Sequence, residues 1–176
     1  MDTIETIMKR RSIRRYKPDE IPQADLDQIL ESGRQAPSAA NRQPWHFVVV
    51  RDQELKRKVA AACSRQNWLA DAYIILAGIG SPGASRGSTG HPWYEVDVSI
   101  AMQNMILAAT SLGYGTCWIG AFDEAQVKTL LKVPEEMRVV ALTPIGVPDV
   151  SPAARSRKDF NQVFSAEQYG QPLISA

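Results

Sequence analysis

Apolar positions recur at two different periods along the chain, and the changes of period divide it into elements. Ile4, Ile7 and Met8 repeat at helical spacing behind Asp2 and Glu5, a start of capping-box type, so residues 3–10 read as a short helix. Pro18 favours extended geometry at Lys17, which ends that helix earlier. Pro22 opens a second helix, with Leu26, Ile29 and Leu30 on one face and Gly33 as its stop. Residues 35–45 (QAPSAANRQPW) are loop chemistry. Phe47–Val50 and Tyr73–Ile79 are apolar runs of strand length, and Asp52 caps a helix to about Ser64 between them. Ser81–Pro92 has glycines and prolines without periodicity and reads as a mobile loop or lid. Residues 95–112 form a helix apolar on most sides, hence buried in a core or interface, with Gly113 as its stop. A strand is expected at Thr116–Ile119, a helix capped by Asp123 and Gln126 before Pro134, and a strand at Val139–Pro144. The last ~30 residues are polar and weakly periodic, a long tail unless they wrap a partner.

Strands and helices interleave irregularly, with no repeat or linker. The expectation is one α+β domain, residues 1–176, around a small sheet. At 176 residues, folding hides roughly 70% of the unfolded chain's surface, so a core can form without staples. A charged fraction of 22% with 44% hydrophobic residues excludes wholesale disorder. No apolar run approaches the ~18 residues of a membrane span, and the first residues lack the apolar core of a secretory signal. Cys63 and Cys117 make neither a disulfide framework nor a metal spacing, which points to a reducing, cytoplasmic setting. His46 and His91 are too isolated for a common zinc site, so no metal is expected. Net charge is only +1, yet residues 9–17 (KRRSIRRYK) hold basic side chains and no acid. One cationic spot on a mildly acidic body needs an explanation.

Five constellations could carry chemistry. In extended chain, Arg10, Ser12 and Arg14 would share one side, two guanidinium forks about a hydroxyl, a cradle for a terminal phosphate. The same run, with Arg11, also reads as a solvated basic helix end. A nucleic-acid arm is disfavoured by the acidic remainder. Pro37-Ser38-Ala39-Ala40-Asn41-Arg42-Gln43 combines small residues with amides that could meet the edge of a flat ring, or could be an ordinary surface loop. Gly78-Ile79-Gly80-Ser81-Pro82-Gly83 matches a dinucleotide fingerprint, but no helix can begin within its glycines, so it reads as coincidence. Trp118-Ile119-Gly120 lies at a strand end where backbone N–H groups could face a ligand, and Cys117 reads as a packed thiol. Arg155, Arg157 and Lys158 form a late basic patch, which reads as solvated tail charge or as a further phosphate contact. No Ser-His-Asp set or carboxylate pair offers hydrolytic machinery.

Taken in order, RRSIRRY, APSAANRQPWHF, DVSIAMQNMILAATSLGYGTCWIGAF, TPIGVP and RSRK span nearly the whole chain, and the set resembles the FMN-dependent nitroreductase family. The resemblance implies an α+β fold with a central, mostly antiparallel sheet flanked by helices. It implies an intertwined homodimer binding two FMN at the interface, with residues from about 150 to 176 reaching the partner subunit. By carry-over Arg10, Arg11, Ser12, Arg14 and Arg157 would hold the phosphate and ribityl groups. Pro37, Ser38, Ala39 and Asn41 would line the isoalloxazine from the other subunit. Gly120 would present its backbone near flavin N5, with Trp118 and Ile119 alongside, and no side chain would be a catalytic acid or base. The loop around 81–94 is brief for the family, and His91, Trp93 and Tyr94 would border the ring face. The implied activity is hydride transfer from NADH or NADPH through FMN to a nitroaromatic, quinone or enone, in ping-pong fashion. The alternatives are a specialised flavin-dependent dehalogenase or dehydrogenase on the same fold, and a non-catalytic module whose basic N-terminus binds an anion. No nucleic acid or membrane partner is expected.

Overall fold

A computed structural model describes residues 1–64, 66–84 and 90–173. Four strands, β1 (Trp45–Val50), β2 (Ile74–Gly80), β3 (Gly115–Thr116) and β4 (Arg138–Gly146), form one sheet in the spatial order β1-β2-β4-β3. Every pair of these strands is antiparallel. The helices described are α1 (Thr3–Lys9), α2 (Gln23–Arg34), α3 (Gln53–Ala62), α4 (Trp93–Ser111), α5 (Glu124–Leu131) and α6 (Phe160–Val163). This is the α+β class expected from the interleaving. No described helix is long and apolar enough to cross a membrane.

The sheet is central because both its faces are covered. β2 is buried along its whole length, and alternate residues serve two cores. Ile75 and Ala77 join Val59, Leu69 and Val127 beneath α3 and α5. Ile74 and Leu76 join Leu26, Ile29, Val98, Met102 and Met105 beneath α2 and α4. Each such fully buried aliphatic side chain contributes about 1.5–3 kcal/mol. A register shift between Gly78 and Ile79 interrupts the β2–β4 ladder.

Three glycines owe their identity to helix–sheet and helix–helix contact. A Cβ at Gly78 would strike Met102 Sδ, and one at Gly80 would strike the Tyr94 ring, so α4 lies directly on β2 there. The dinucleotide-like spacing is therefore an imprint of packing, and after Gly80 the chain enters a turn rather than a helix. Gly33 is not the stop of α2, as the sequence suggested. It lies inside the helix, where an added Cβ would sit 2.7 Å from the Met105 side chain. Gly113 does end α4, at φ +92°.

Several boundaries move. β1 starts two residues earlier than Phe47, and α4 starts at Trp93. The strand expected over Thr116–Ile119 pairs with β4 only at Gly115–Thr116; the chain leaves the ladder at Cys117 and returns for an isolated bridge between Ile119 and Leu142. Helix α1 forms where expected, capped by Asp2 Oδ1 accepting the Glu5 N–H at 2.8 Å. Its apolar stripe faces outward, however: Ile4 is 71% and Met8 70% exposed, while Thr6 is the buried residue. The expected loop over 81–92 lies partly on residues 85–89, outside the described residues. From 151 to 173 the chain is almost wholly exposed; Phe160 packs on Phe164 at 4.5 Å within it.

Candidate functional site

The basic arm that follows α1 is laid along the sheet edge. Ser12 bridges Thr116, the Ile13 N–H donates to the Thr116 carbonyl at 2.9 Å, and the Lys17 N–H donates to Val147 O at 2.9 Å. Ile13 and Tyr16 point into the protein and are buried. Gly115 makes room for this, since a Cβ there would lie 2.8 Å from Ile13 Cβ. Arg10, Ser12 and Arg14 line one cleft, and Arg11 and Arg15 border it too, so the lining is not confined to alternate residues.

That cleft has a volume of about 710 Å³. The arm forms one wall, and Val150, Pro152 and Arg155 with Arg157 from the start of the tail form the other. A clamp holds the two walls together: Arg15 Nη2 donates to Asp149 Oδ2 at 2.8 Å, and the Asp149 N–H donates to Arg15 O at 3.0 Å. The basic side chains divide by use. Lys9 pairs with Glu5, Arg15 pairs with Asp149, and Arg11 donates to the carbonyls of Met8 and Arg10 at the end of α1. Among the described residues, Arg10, Arg14, Arg155 and Arg157 form no ion pair with a carboxylate, although all four line the cleft. Like charges gathered without counter-ions repel, and an anion held among them relieves that. Planar forks from several directions suit a phosphate.

Cys117 adjoins the floor of this arm. Burial pushes its thiol above the usual range, partly offset by Arg14, the Ser12 hydroxyl and Arg10. A thiol held protonated is a packing group, as the sequence suggested. Directly after it, Trp118 is 42% exposed, Ile119 is buried, and Gly120 is exposed with nothing nearer to a potential Cβ than Trp118 Nε1 at 3.8 Å.

The Pro37–Gln43 loop stands elsewhere. Pro37, Ser38 and Ala39 line a smaller cavity of about 200 Å³ with Trp93, Val96, Asp97 and Ile100 on the first turns of α4. The loop contains a 3-10 turn at Ala39–Asn41, and three of its non-glycine residues are left-handed: Ala40 (φ 52°), Asn41 (φ 54°) and Gln43 (φ 49°). Such conformations cost on the order of 1 kcal/mol each and persist only when the surroundings fix them. Here the Gln43 N–H donates to Ser38 Oγ at 2.9 Å, the Asn41 N–H to Ser38 O at 2.9 Å, and the Ala39 N–H to Asp97 Oδ1 at 3.0 Å. Arg42 also has a partner.

The structure thus brings Arg10, Arg11, Ser12, Arg14 and Arg157 to one cleft, and Trp118, Ile119 and Gly120 follow in sequence from Cys117, which adjoins the arm. It does not bring Pro37, Ser38, Ala39 and Asn41 into that cleft. They pack near Asp97, whereas α1 packs beside Leu107 and Ala108, about 15 Å further along α4 by helix rise. His91 and Trp93 meet edge to face, 6.0 Å between centroids, at the same end of α4. Sequence reasoning missed Asp97, and it read Arg155 within a late basic patch as a further phosphate contact without carrying it into the family's site. The signal for Asp97 was present: it is the one acid on the stripe of α4 shared with Tyr94, Val98, Ala101 and Met105, which is buried.

A family model described as the nitroreductase family matches residues 7–74 and 64–147. A protein of Methanothermobacter thermautotrophicus, whose name pairs NADH dehydrogenase with NAD(P)H nitroreductase, is 34% identical over 93% of this chain and 86% of its own. The crystal structure of a nitroreductase family protein from Clostridium novyi NT is similar at TM-score 0.82 and 35% identity, over 98% of this chain and 97% of that one. The NADPH:FMN oxidoreductase from Vibrio harveyi, solved in complex with NAD+, is similar at TM-score 0.87 and 29% identity, over 95% of this chain and 77% of that one.

Proposed function

The chain belongs to the nitroreductase family, and on that premise we propose that it is an FMN-dependent NAD(P)H oxidoreductase working as a homodimer. The observation that carries this reading is the cleft in which Arg10, Arg14, Arg155 and Arg157 converge without carboxylate partners. Its volume, about 710 Å³, falls in the range of cofactor sites, and its guanidinium donors suit a phosphate monoester. Arg10, Ser12, Arg14 and Arg157 hold the phosphate and ribityl end, and Arg11 secures the end of α1 behind them. Trp118 and Ile119 would lie alongside the ring, and the unobstructed backbone of Gly120 would be free to serve its reactive end. When bound, FMN would supply the electron chemistry for hydride transfer from NADH or NADPH to a nitroaromatic, quinone or enone.

The ring's other support is the Pro37–Asn41 loop of a second copy. Several features favour a dimer. Ile4, Ile7 and Met8 on α1, and Val96 and Ile100 on α4, are exposed apolar residues, and the tail carries exposed Phe160, Val163, Phe164 and Tyr169. The tail from residue 150 would reach across to the partner, as its exposure over 151–173 allows. No side chain acts as acid or base; the protein binds, orients and encloses. With one site serving donor and acceptor, the kinetics would be ping-pong.

Anaerobic stopped-flow tests this. Mixing FMN-loaded protein with NADH or NADPH should bleach the flavin band, and a second mixing with a quinone or nitroaromatic should restore it. A flavin that stays oxidised against both nucleotides contradicts the reading and favours a specialised member of the fold supplied with electrons otherwise.

A further inference from the structure

Asp97 is a carboxylate 3% exposed, on the inner face of a helix whose other buried residues are apolar except for the Tyr94 hydroxyl. A buried carboxylate costs several kcal/mol unless hydrogen bonds compensate it, so its presence asks what it holds. It accepts the Ala39 N–H at 3.0 Å, across 58 residues of chain. Ala39 is the residue immediately before the left-handed Ala40 and Asn41, and Ser38, which ties the loop's far end through Gln43, is immediately before it. Asp97 therefore grips the loop at the point where its backbone turns into an unfavourable conformation. Ala40 has no glycine freedom and no side-chain hydrogen bond of its own to hold φ at 52°, so an outside contact must fix it.

We propose that Asp97 is a positioning residue for the flavin: by holding Ala39 it fixes the left-handed segment that presents Pro37, Ser38 and Asn41 to the ring. This rests on the flavin reading above. Asp97 itself touches no flavin; it acts through the loop. Within the loop the Gln43 amide donates to Asn41 O and Oδ1, both at 3.3 Å, so the exposed Asn41 side chain is held as part of the same fixed turn.

The test is FMN affinity of the full-length protein, by quenching of flavin fluorescence, for Asp97→Leu, Asp97→Ala and Asp97→Asn, with thermal unfolding of the flavin-free proteins alongside. Asp97→Leu keeps the branched outline, though it is larger, and removes the acceptor; Asp97→Ala removes it with a smaller side chain, and Asp97→Asn keeps an acceptor oxygen. Asp97→Leu, or Asp97→Ala should the leucine variant not fold, is expected to bind FMN about tenfold or more weakly, the scale of one lost charge-assisted hydrogen bond. The visible band of its bound flavin should be displaced from the wild-type position, and Asp97→Asn should recover most of the affinity. Wild-type affinity and an unshifted band in the leucine or alanine variant overturn the proposal. So does loss of affinity in Asp97→Asn equal to that in the acceptor-free variant. Wild-type protein that binds no FMN would instead overturn the flavin reading itself, so the two failures are distinct.

Discussion

Arg14 illustrates what one residue contributes. It lines the cleft, makes no ion pair among the described residues, and lies close enough to Cys117 to lower its thiol against the effect of burial. Removing a charged hydrogen bond costs about 1.5–3 kcal/mol. Arg14→Ala should lose that much FMN affinity in a fluorescence titration; an unchanged dissociation constant would remove Arg14 from the site. Arg11→Ala should act differently. Its guanidinium is committed to carbonyls closing α1, so the expected effect is a lower melting temperature with a smaller change in flavin affinity. That Arg10, Ser12 and Arg14 meet at one cleft was legible in the sequence, but the strict alternation of extended chain was not what gathers them, since Arg11 and Arg15 line it as well. The grip of Asp97 on Ala39 was not legible, because nothing local links residues 58 apart. The left-handed angles at Ala40 and Gln43 were also illegible, since neither residue type advertises them.

At the scale of elements, contact explains what periodicity left open. Gly78 and Gly80 looked like a nucleotide fingerprint and turn out to admit Met102 and Tyr94 of α4. Gly80→Ala should destabilise the protein by about 1–3 kcal/mol, because a rigid ring edge must move; denaturant unfolding checks it. The stripe of Ile4, Ile7 and Met8 correctly predicted a helix, but periodicity gives a stripe without naming what covers it. Helix α5 is fastened to β4 by Glu124, which accepts from Arg138 Nε at 2.8 Å, Arg138 Nη2 at 2.9 Å and the Val139 N–H at 3.0 Å. The Arg138 hydrogen bond is the largest influence holding the Glu124 carboxyl below its ordinary 4.5. A depressed acid stabilises the fold above its unfolded pKa and loses that contribution as pH falls through the folded value. Glu124→Gln should therefore lower stability by about 1 kcal/mol at neutral pH, modest because the pair is partly exposed. The difference from wild type should shrink as pH falls below 4.5. A difference independent of pH would contradict the assignment.

The whole molecule is a sheet buried on both faces; among the described residues its large exposed apolar side chains lie on and before α1, on the outer side of α4, at Trp118 and along the tail. The α+β class could be read from interleaved periods, and the family from ordered motifs. Which surfaces meet a second copy could not, since a stripe or a polar tail has no orientation until folded. The proposed dimer places the arginine cleft of one copy against the Pro37–Asn41 loop of the other, so flavin retention and dimerisation are one property. Ile4→Glu should yield a monomer by light scattering, and that monomer should shed its flavin. The most direct test uses the wild type: load it with excess FMN, desalt it, and record mass by light scattering with the visible spectrum across one elution peak. A yellow peak at dimer mass, carrying one flavin per chain, is the predicted result, and a colourless peak at monomer mass would contradict the account.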